Sequence, residues 1–423
     1  MTVTCPYVLF ISPQPFFAWR GSPLRVANDV EALVRLGYAV DLLTLPMGEP
    51  RDIPGVRILR VGRIPGIREV PIGPSLGKLL YDALLLIRGL RLVIRRRYDV
   101  IHGIEEAGLI AWILGRLSGA AVVYEKHSDP ASHRDGRLRN LVLAAYARVE
   151  RLMVSGADAV IGTGLALVEQ VRAMNPRKAV FHVFDIPSSR KEPDPRRADK
   201  IRAGLIRAPG ERIALYAGSF APYQGLDLLF DAMLLVFRAR PDVRLAIIGG
   251  AEAESAARRE WLAARGVEDR VSFVGFVPPD ELPEYLRAAD ILLSPRVSGV
   301  NSPLKLLDYL KAGRAIVATN LPANREVVDE SCAVMVEPDA AAFAAAVERL
   351  ASSPEWREKL GAAGRRRIDE TYHMDGFVNR IRACYAALPP AKPRPDGRSG
   401  RDVAGGPAPG RAASPDGSAP RDA

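Results

Sequence analysis

Short runs of β-branched and aliphatic residues alternate with longer helical segments along most of the chain, in two series. The first comprises YVLFIS, AVDLLTL, DVIHGI, AVVYEKH, AVIGTG and AVFHVF, up to about residue 186. The second comprises RIALYAG, RLAIIGG, VSFVGF, ILLSP, AIVAT and AVMVE, with helices such as GLDLLFDAMLLVFRARP between them. Parallel neighbours need a crossover that carries the chain back over the sheet, and a helix is the usual crossover. The pattern therefore predicts two doubly wound Rossmann-like α/β domains facing a cleft at their strand C-termini, where such sheets bind ligands. A chain of 423 residues, 48% hydrophobic, is long and apolar enough for two full cores.

The same pass sets the boundaries. Residues 1–186 form the first domain and 211–373 the second. Between them, 187–210, which contains SSRKEPDPRRADK, is polar and reads as a linker. A last helix over 374–388 ends at Pro389-Pro390 and is expected to cross back to the first domain. Residues 389–423 lack aromatics, Leu and Ile, so they bury no core and are expected to be disordered. The start, MTVTCPYVLFISP, lacks a basic leader region and reads as a first strand. No run of about 18 uncharged apolar residues exists, so no transmembrane helix is expected. Cys5, Cys332 and Cys384 are far apart with no CxxC spacing, which disfavours a disulfide scaffold or a zinc module.

The formal net charge is +10, but it is concentrated. Residues 51–97 hold 11 Lys+Arg against 3 Asp+Glu, whereas 186–388 hold 29 against 28. That patch contains one aromatic, Tyr81, so it lacks the interleaved stacking residues of a nucleic-acid groove. Within it, Lys78–Arg97 reads as an amphipathic helix. At about 100° per residue, Leu79, Leu80, Ala83, Leu86, Ile87, Leu90, Val93 and Ile94 share one arc, with a basic face outside it. Such a helix either packs its apolar arc on the first domain or rests on an anionic membrane surface.

Several blocks in the second half carry a family resemblance: YAGSFAPYQGLDLLFDA, LAIIGG, DRVSFVGFVPPDELPEYLRAADILLSPR and GVNSPLKLLDYLKAGRAIVATNLPANREVV. Over about residues 5–385 the chain resembles the retaining GT-B glycosyltransferases of the "glycosyl transferases group 1" family. The resemblance implies a GT-B fold, a second domain that binds a nucleotide-sugar donor (UDP- or GDP-linked), and a first domain facing a glycan or lipid-linked acceptor. It implies transfer of a hexosyl or related group with retention of configuration. No separate cofactor is implied. No DxD or His/Cys cluster suggests a metal. The setting it implies is polysaccharide assembly in the cytoplasm, with peripheral contact at the inner face of the membrane through residues 51–97.

Gly218–Gly225 (GSFAPYQG) lies between a strand and a helix, where glycines and a helix N-terminus suit a diphosphate. Relatives place an Arg and a Lys here; this chain has Ser219 and Gln224. Gly249 closes the next strand. In PRVSGVNSPLKLLDY, Pro303 fits a first helical turn capped by Asn301 or Ser302, with Leu304 and Lys305 following. Lys305 near the positive end of the helix dipole is unfavourable without an anion. Arg296 and Lys305 are therefore expected to replace the missing pair as phosphate partners. Of two glutamates that relatives carry in this block, the first position is Val300 and the second Asp308. Asp308 is expected either on the ribose hydroxyls or paired with a local base.

On the other side, Gly21 and Ser22, in Arg20-Gly21-Ser22-Pro23, sit where relatives have a loop facing donor and acceptor. His127 follows AVVYEK and resembles the histidine beside the transferred sugar. His102 is an acceptor-side candidate or a structural histidine. Glu105, with Glu106, either contacts acceptor or caps the next helix. Catalysis would rest on His127, Lys305 and Arg296 by electrostatic stabilisation of the leaving diphosphate. An alternative is a degenerate member kept as a binding or scaffold subunit, since Val300, Ser219 and Gln224 replace three usual donor contacts.

Overall fold

The computed structural model describes residues 5–18, 21–67, 76–129 and 137–390. Among these residues the first sheet has seven parallel strands: β1 (Tyr7–Ser12), β2 (Ala39–Thr44), β3 (Val56–Arg60), β4 (Val100–Ile104), β5 (Ala121–Lys126), β6 (Ala159–Gly162) and β7 (Val180–His182), in the order β3-β2-β1-β4-β5-β6-β7. Its helices are α1 (Gly21–Arg35), α2 (Leu76–Arg95), α3 (Ala107–Ser118), α4 (Arg137–Gly156) and α5 (Leu165–Met174). β1, β4 and β5 are buried almost throughout, which is why they read as near-continuous apolar runs. β3 carries no such run in sequence. Its residues VRILR alternate charge and apolar side chains inside the basic segment and pair with β2 at the edge.

The second sheet also runs parallel: β8 (Arg212–Ala217), β9 (Val243–Ile248), β10 (Val271–Gly275), β11 (Ile291–Ser294), β12 (Ala315–Thr319) and β13 (Val334–Val336), ordered β10-β9-β8-β11-β12-β13. These are the six runs read in the sequence. Around them lie α6 (Pro195–Leu205), α7 (Leu226–Ala239), α8 (Glu252–Ala263), α9 (Leu282–Ala288), α10 (Leu304–Ala312), α11 (Pro322–Arg325), α12 (Ala340–Ser352) and α13 (Pro354–Glu370), and α14 (Met374–Ala386) ends the described chain. Helix starts follow local chemistry: Asp339 accepts from the Ala342 N–H, and Ser353, before Pro354, from the Trp356 N–H.

One boundary and one helix orientation differ from the expectation. The polar stretch 187–210 is not all linker. It contains α6, begun by Asp194-Pro195, which packs on α9 of the second domain through Arg202, bonded to Ala288 O and Asp290 at 2.9 Å. The helix is α2. Its buried stripe is Tyr81, Leu85, Gly89 and Val93, against α3, so the expected arc is split: Val93 is buried, Leu86 and Leu90 pack partly on the core, and Leu79, Leu80, Ala83, Ile87 and Ile94 face solvent. Gly89 decides the orientation, because a Cβ there would lie 2.6 Å from Leu114 Cδ1. α14 lies on α1, β6 and β7 of the first domain. The expected disorder of the tail concerns residues 391–423, outside the described residues. No described helix is long and apolar enough to cross a membrane.

Candidate functional site

In each sheet the strand order reverses beside the first strand: between β1 and β4, and between β8 and β11. Loops that leave the C-terminal ends there diverge and open a crevice. On the second domain these loops are Gly218–Gly225 after β8 and 295–303 after β11. Gly218–Gly225 carries a 3-10 turn at Pro222–Gln224 before α7. Ser219 is exposed, and its carbonyl accepts from the Tyr216 hydroxyl at 2.7 Å; Gln224 is half-buried. Gly249, at φ +100°, ends β9 against this loop. A Cβ on it would lie 2.2 Å from Gly218 O, so the two backbones touch and only glycine fits.

The start of α10 differs from the expected cap. The N-cap is Pro303, no side chain caps it, and Leu304 is the first helical residue. Ser302 is unavailable because its hydroxyl donates to Glu326. Asn301 contributes only its carbonyl, which accepts from Arg296 Nη1 at 2.7 Å. Arg296 also braces this loop: its Nε donates to Ser298 O at 2.7 Å. These bonds take Nε and Nη1 and leave Nη2 for the phosphate contact expected of Arg296. Lys305 is different. Its Nζ is buried with no hydrogen-bond partner, 4.1 Å from the centre of the Tyr216 ring. A Cβ on Gly218 would come within 2.6 Å of it. Burial, with Arg296 nearby, holds its pKa well below the usual lysine range. An uncapped helix N-terminus and an unpartnered ammonium thus converge on a glycine loop.

Asp308 is not open to a ribose. Both its oxygens accept from Ser188, from the N–H at 2.7 Å and the hydroxyl at 2.9 Å, so it ties α10 to the inter-domain segment. Burial raises its pKa to about 6 against those bonds.

On the first domain, residues 21–23 are not a loop but the first turn of α1, with Ser22 half-buried. A Cβ on Gly21 would meet nothing within 4 Å. Arg20 lies outside the described residues. His102 does not reach the cleft. It is 0% exposed, with Nδ1 2.9 Å from the Tyr385 hydroxyl of α14, and that helix covers it. His127 and Glu105 are brought together. Glu105 Oε1 accepts from the His127 N–H at 3.1 Å and the Ser128 hydroxyl at 2.9 Å. Glu105 has φ +48°, a left-handed conformation that costs a non-glycine residue of order 1 kcal/mol. Neither it nor Glu106 caps α3 through its side chain.

Known protein families match both halves of the chain. Residues 20–186 match the model of the "Glycosyl transferase 4-like domain", and residues 211–353 that of "Glycosyl transferases group 1". The chain is a GT-B glycosyltransferase. It is 25% identical over 379 residues to a D-inositol 3-phosphate glycosyltransferase of Segniliparus rotundus, covering 81% of this chain and 79% of that one. Its fold is similar to that of sucrose-phosphate synthase from Thermosynechococcus elongatus, with TM-score 0.75, 21% identity, and 90% and 98% of the two chains covered. It is also similar to Anabaena Alr3699/HepE, solved in complex with UDP-glucose, with TM-score 0.68, 15% identity, and 90% and 100% covered.

Three groups in this glycosyltransferase escaped the sequence reading. Glu326 spans the cleft: Oε1 accepts from the Ala166 N–H at the start of α5 at 3.3 Å, and its other oxygen takes the Ser302 hydroxyl. Glu125 lies beneath His127 and could have been found from its position near the end of β5, two residues before His127 and hence on the same side. Asp82 on α2 faces Glu106, and burial with that like charge raises its pKa to about 7 against Lys78. A carboxyl that binds its proton more tightly when folded loses stability as pH rises from its unfolded value towards that pKa. Asp82→Asn is therefore expected to be neutral near pH 4, to raise the melting temperature increasingly up to pH 7, and to level off above. Thermal melts at pH 4, 5.5, 7 and 8 check this; a gain independent of pH would contradict it.

Proposed function

We propose that this glycosyltransferase moves a sugar from a nucleoside-diphosphate donor to a phosphorylated or lipid-linked polyol or glycan, with retention of configuration and without a metal. The observation that carries the reading is Lys305. A buried amino group with no hydrogen-bond partner, beside an uncapped helix and two backbones in contact at Gly218 and Gly249, is costly to charge unless an anion completes it. UDP-glucose in the similar Anabaena protein supports a uridine donor. The inositol 3-phosphate and sucrose-phosphate in the names of two similar proteins support a phosphorylated acceptor or product.

In this mechanism the donor diphosphate lies on Lys305 Nζ and the first N–H groups of α10. As the glycosidic bond breaks, charge grows on the diphosphate and these fixed donors stabilise it. The leaving phosphate oxygen takes the acceptor's proton on the same face, which preserves the anomeric configuration. His127, on the opposite wall, meets the transferred sugar. Burial disfavours its imidazolium, but the hydrogen bond and charge of Glu125, with Glu105 beyond, outweigh this and raise its pKa. It can therefore donate near neutral pH. Incubation with a panel of nucleotide sugars in EDTA, with product anomers read by proton NMR, tests the reading. Absence of UDP and GDP binding at millimolar concentration would leave the scaffold alternative instead.

The exposed arc of α2 favours a docking role as well. Leu79 and Ile94 are 66% and 73% exposed, and Arg88, Arg91 and Arg95 line a groove of about 350 Å³ floored by Val61 and Leu92. Apolar side chains and arginines on one helix surface suit the interface of an anionic bilayer. Each arginine there contributes about 1 kcal/mol. Reversing Arg88, Arg91 and Arg95 to Glu is expected to cut co-sedimentation with phosphatidylserine-containing liposomes at least about 10-fold. Arg96 is left in place, because its guanidinium stacks on Tyr7 at 4.5 Å. Unchanged sedimentation would remove the membrane from the account.

A further inference from the structure

The polar cluster under His127 is built round one carboxylate. Glu125 Oε1 lies 3.0 Å from His127 Nε2 and 3.0 Å from Arg25 Nε, and Oε2 lies 3.0 Å from His102 Nε2, off the line of a good hydrogen bond. All four side chains are buried. Arg25 extends the cluster to the edge of the domain. Its Nη1 donates to Val183 O at 2.8 Å, Phe184 O at 3.0 Å and Asp185 at 3.1 Å, where the chain leaves the first domain. The guanidinium sits 4.6 Å over the Phe377 ring of α14. Asp29, Glu125 and His127 bring ligand atoms within 4.8 Å of one another, but Arg25 Nε stands 3.2 Å from Asp29 and 3.0 Å from Glu125 and supplies the positive charge itself.

The charges in this cluster are sorted by their surroundings. Burial alone would raise Glu125, but Arg25, His102 and His127 reverse it and hold the carboxylate well below its usual range. For Asp29 burial outweighs Arg25 and pushes the carboxyl well above its usual range. The two imidazoles part in the same way. Burial lowers His102 despite Glu125, whereas Glu125 and Glu105 overcome burial at His127 and raise it. One ionised carboxylate thus raises the pKa of one imidazole and does not offset burial at the other. With Nε2 turned to Glu125, Nδ1 is the ring nitrogen of His127 without a partner among the described residues.

We propose that Glu125, held in place by Arg25, is a positioning residue that fixes the His127 ring with Nε2–H on the carboxylate and Nδ1–H free to meet the transferred sugar. This rests on the reading of His127 as the sugar-side group. The arrangement is the one used wherever a carboxylate sets the orientation of a working imidazole: it orients the ring and does not itself touch the substrate.

The test combines kinetics and spectroscopy on the full chain. A positioned hydrogen-bond donor whose contact strengthens in the transition state contributes about 100-fold or more to turnover. His127→Ala should lose that, and Glu125→Gln at least about 10-fold of it in kcat, with donor KM unchanged because the nucleotide rests on the other domain. In the His127→Ala background, Glu125→Gln should cost nothing further. Additive losses would make Glu125 merely structural and overturn the inference. Normal turnover of His127→Ala would remove His127 from the chemistry and this inference with it. A slow His127→Ala beside a normal Glu125→Gln would sink the inference alone. If Glu125→Gln does not fold, ¹⁵N-histidine NMR of the unaltered protein decides. An Nε2-protonated His127 that titrates above ordinary histidine supports the proposal; an Nδ1–H tautomer with an Nε2 lone pair overturns it.

Discussion

Lys305→Met is expected to weaken UDP binding by about 100-fold, close to 2.7 kcal/mol, measured by isothermal titration. The magnitude follows from what the side chain lacks. Its Nζ has no hydrogen-bond partner in the free protein, and burial with Arg296 holds its pKa well below the usual lysine value. An arriving diphosphate favours the charged form, so binding takes up a proton wherever the pH lies above that lowered value. The sign is definite: UDP affinity falls as pH rises past the free-protein pKa of Lys305, and Lys305→Met loses that dependence. Titrations in two buffers of different ionisation enthalpy read the proton directly. Equal affinity in Lys305→Met and the parent would move the phosphate site elsewhere.

The second large effect is structural. Gly249→Ala puts a Cβ 2.2 Å from Gly218 O at a backbone φ of +100°. Neither loop can yield freely, because Gly218 is itself packed on Lys305 and Tyr216. Steric strain and the unfavourable dihedral together cost about 2–4 kcal/mol, or roughly 5–10 °C in melting temperature for a domain of this size. UDP affinity should fall with it, as the Gly218 loop is displaced. Gly266→Ala is the control. It has φ +67° but nothing within 4 Å, so it carries the dihedral cost alone and should shift the melt by less than half as much. Calorimetry of both variants with and without UDP separates the two contributions. Equal melting temperatures would mean that the close approach of the two loops is unimportant.

The architecture was legible because parallel strands are buried on both faces and announce themselves as apolar runs. AVVYEK and RLAIIG are such runs, and they became β5 and β9. β3 escaped because an edge strand buries less, and VRILR looks like part of a charged patch. The orientation of α2 escaped for a related reason. An apolar arc can be read from spacing, but which arc faces the core depends on a neighbour, here Leu114 meeting Gly89.

The site was legible in its positions and less so in its partners. Lys305 stood out because a cation in the first turn of a helix calls for an anion. Arg296, His102 and Asp308 also carry the right chemistry, but their hydrogen bonds go to loop 298–301, Tyr385 and Ser188. For His102 and Asp308 those partners lie 283 and 120 residues away in sequence, so no local pattern could reveal them. Arg25 was hidden likewise: a buried ion pair between a helix and a strand leaves no periodic trace on the helix.

The return of α14 to the first domain sets limits on how this protein can be dissected. Tyr385 completes the hydrogen bond of His102, and Phe377 lies under the Arg25 guanidinium. A fragment cut after Ile186 would therefore open a polar wound in its own interior, with Arg25 and Glu125 facing water where a helix belongs. The folding unit of the first half is discontinuous, 5–186 joined to 374–388, and the second half is an insertion within it. Gene fusions, limited proteolysis and domain exchange with related enzymes should all respect that seam, because a hybrid junction at the linker alone leaves one parent's closing helix on the other parent's core.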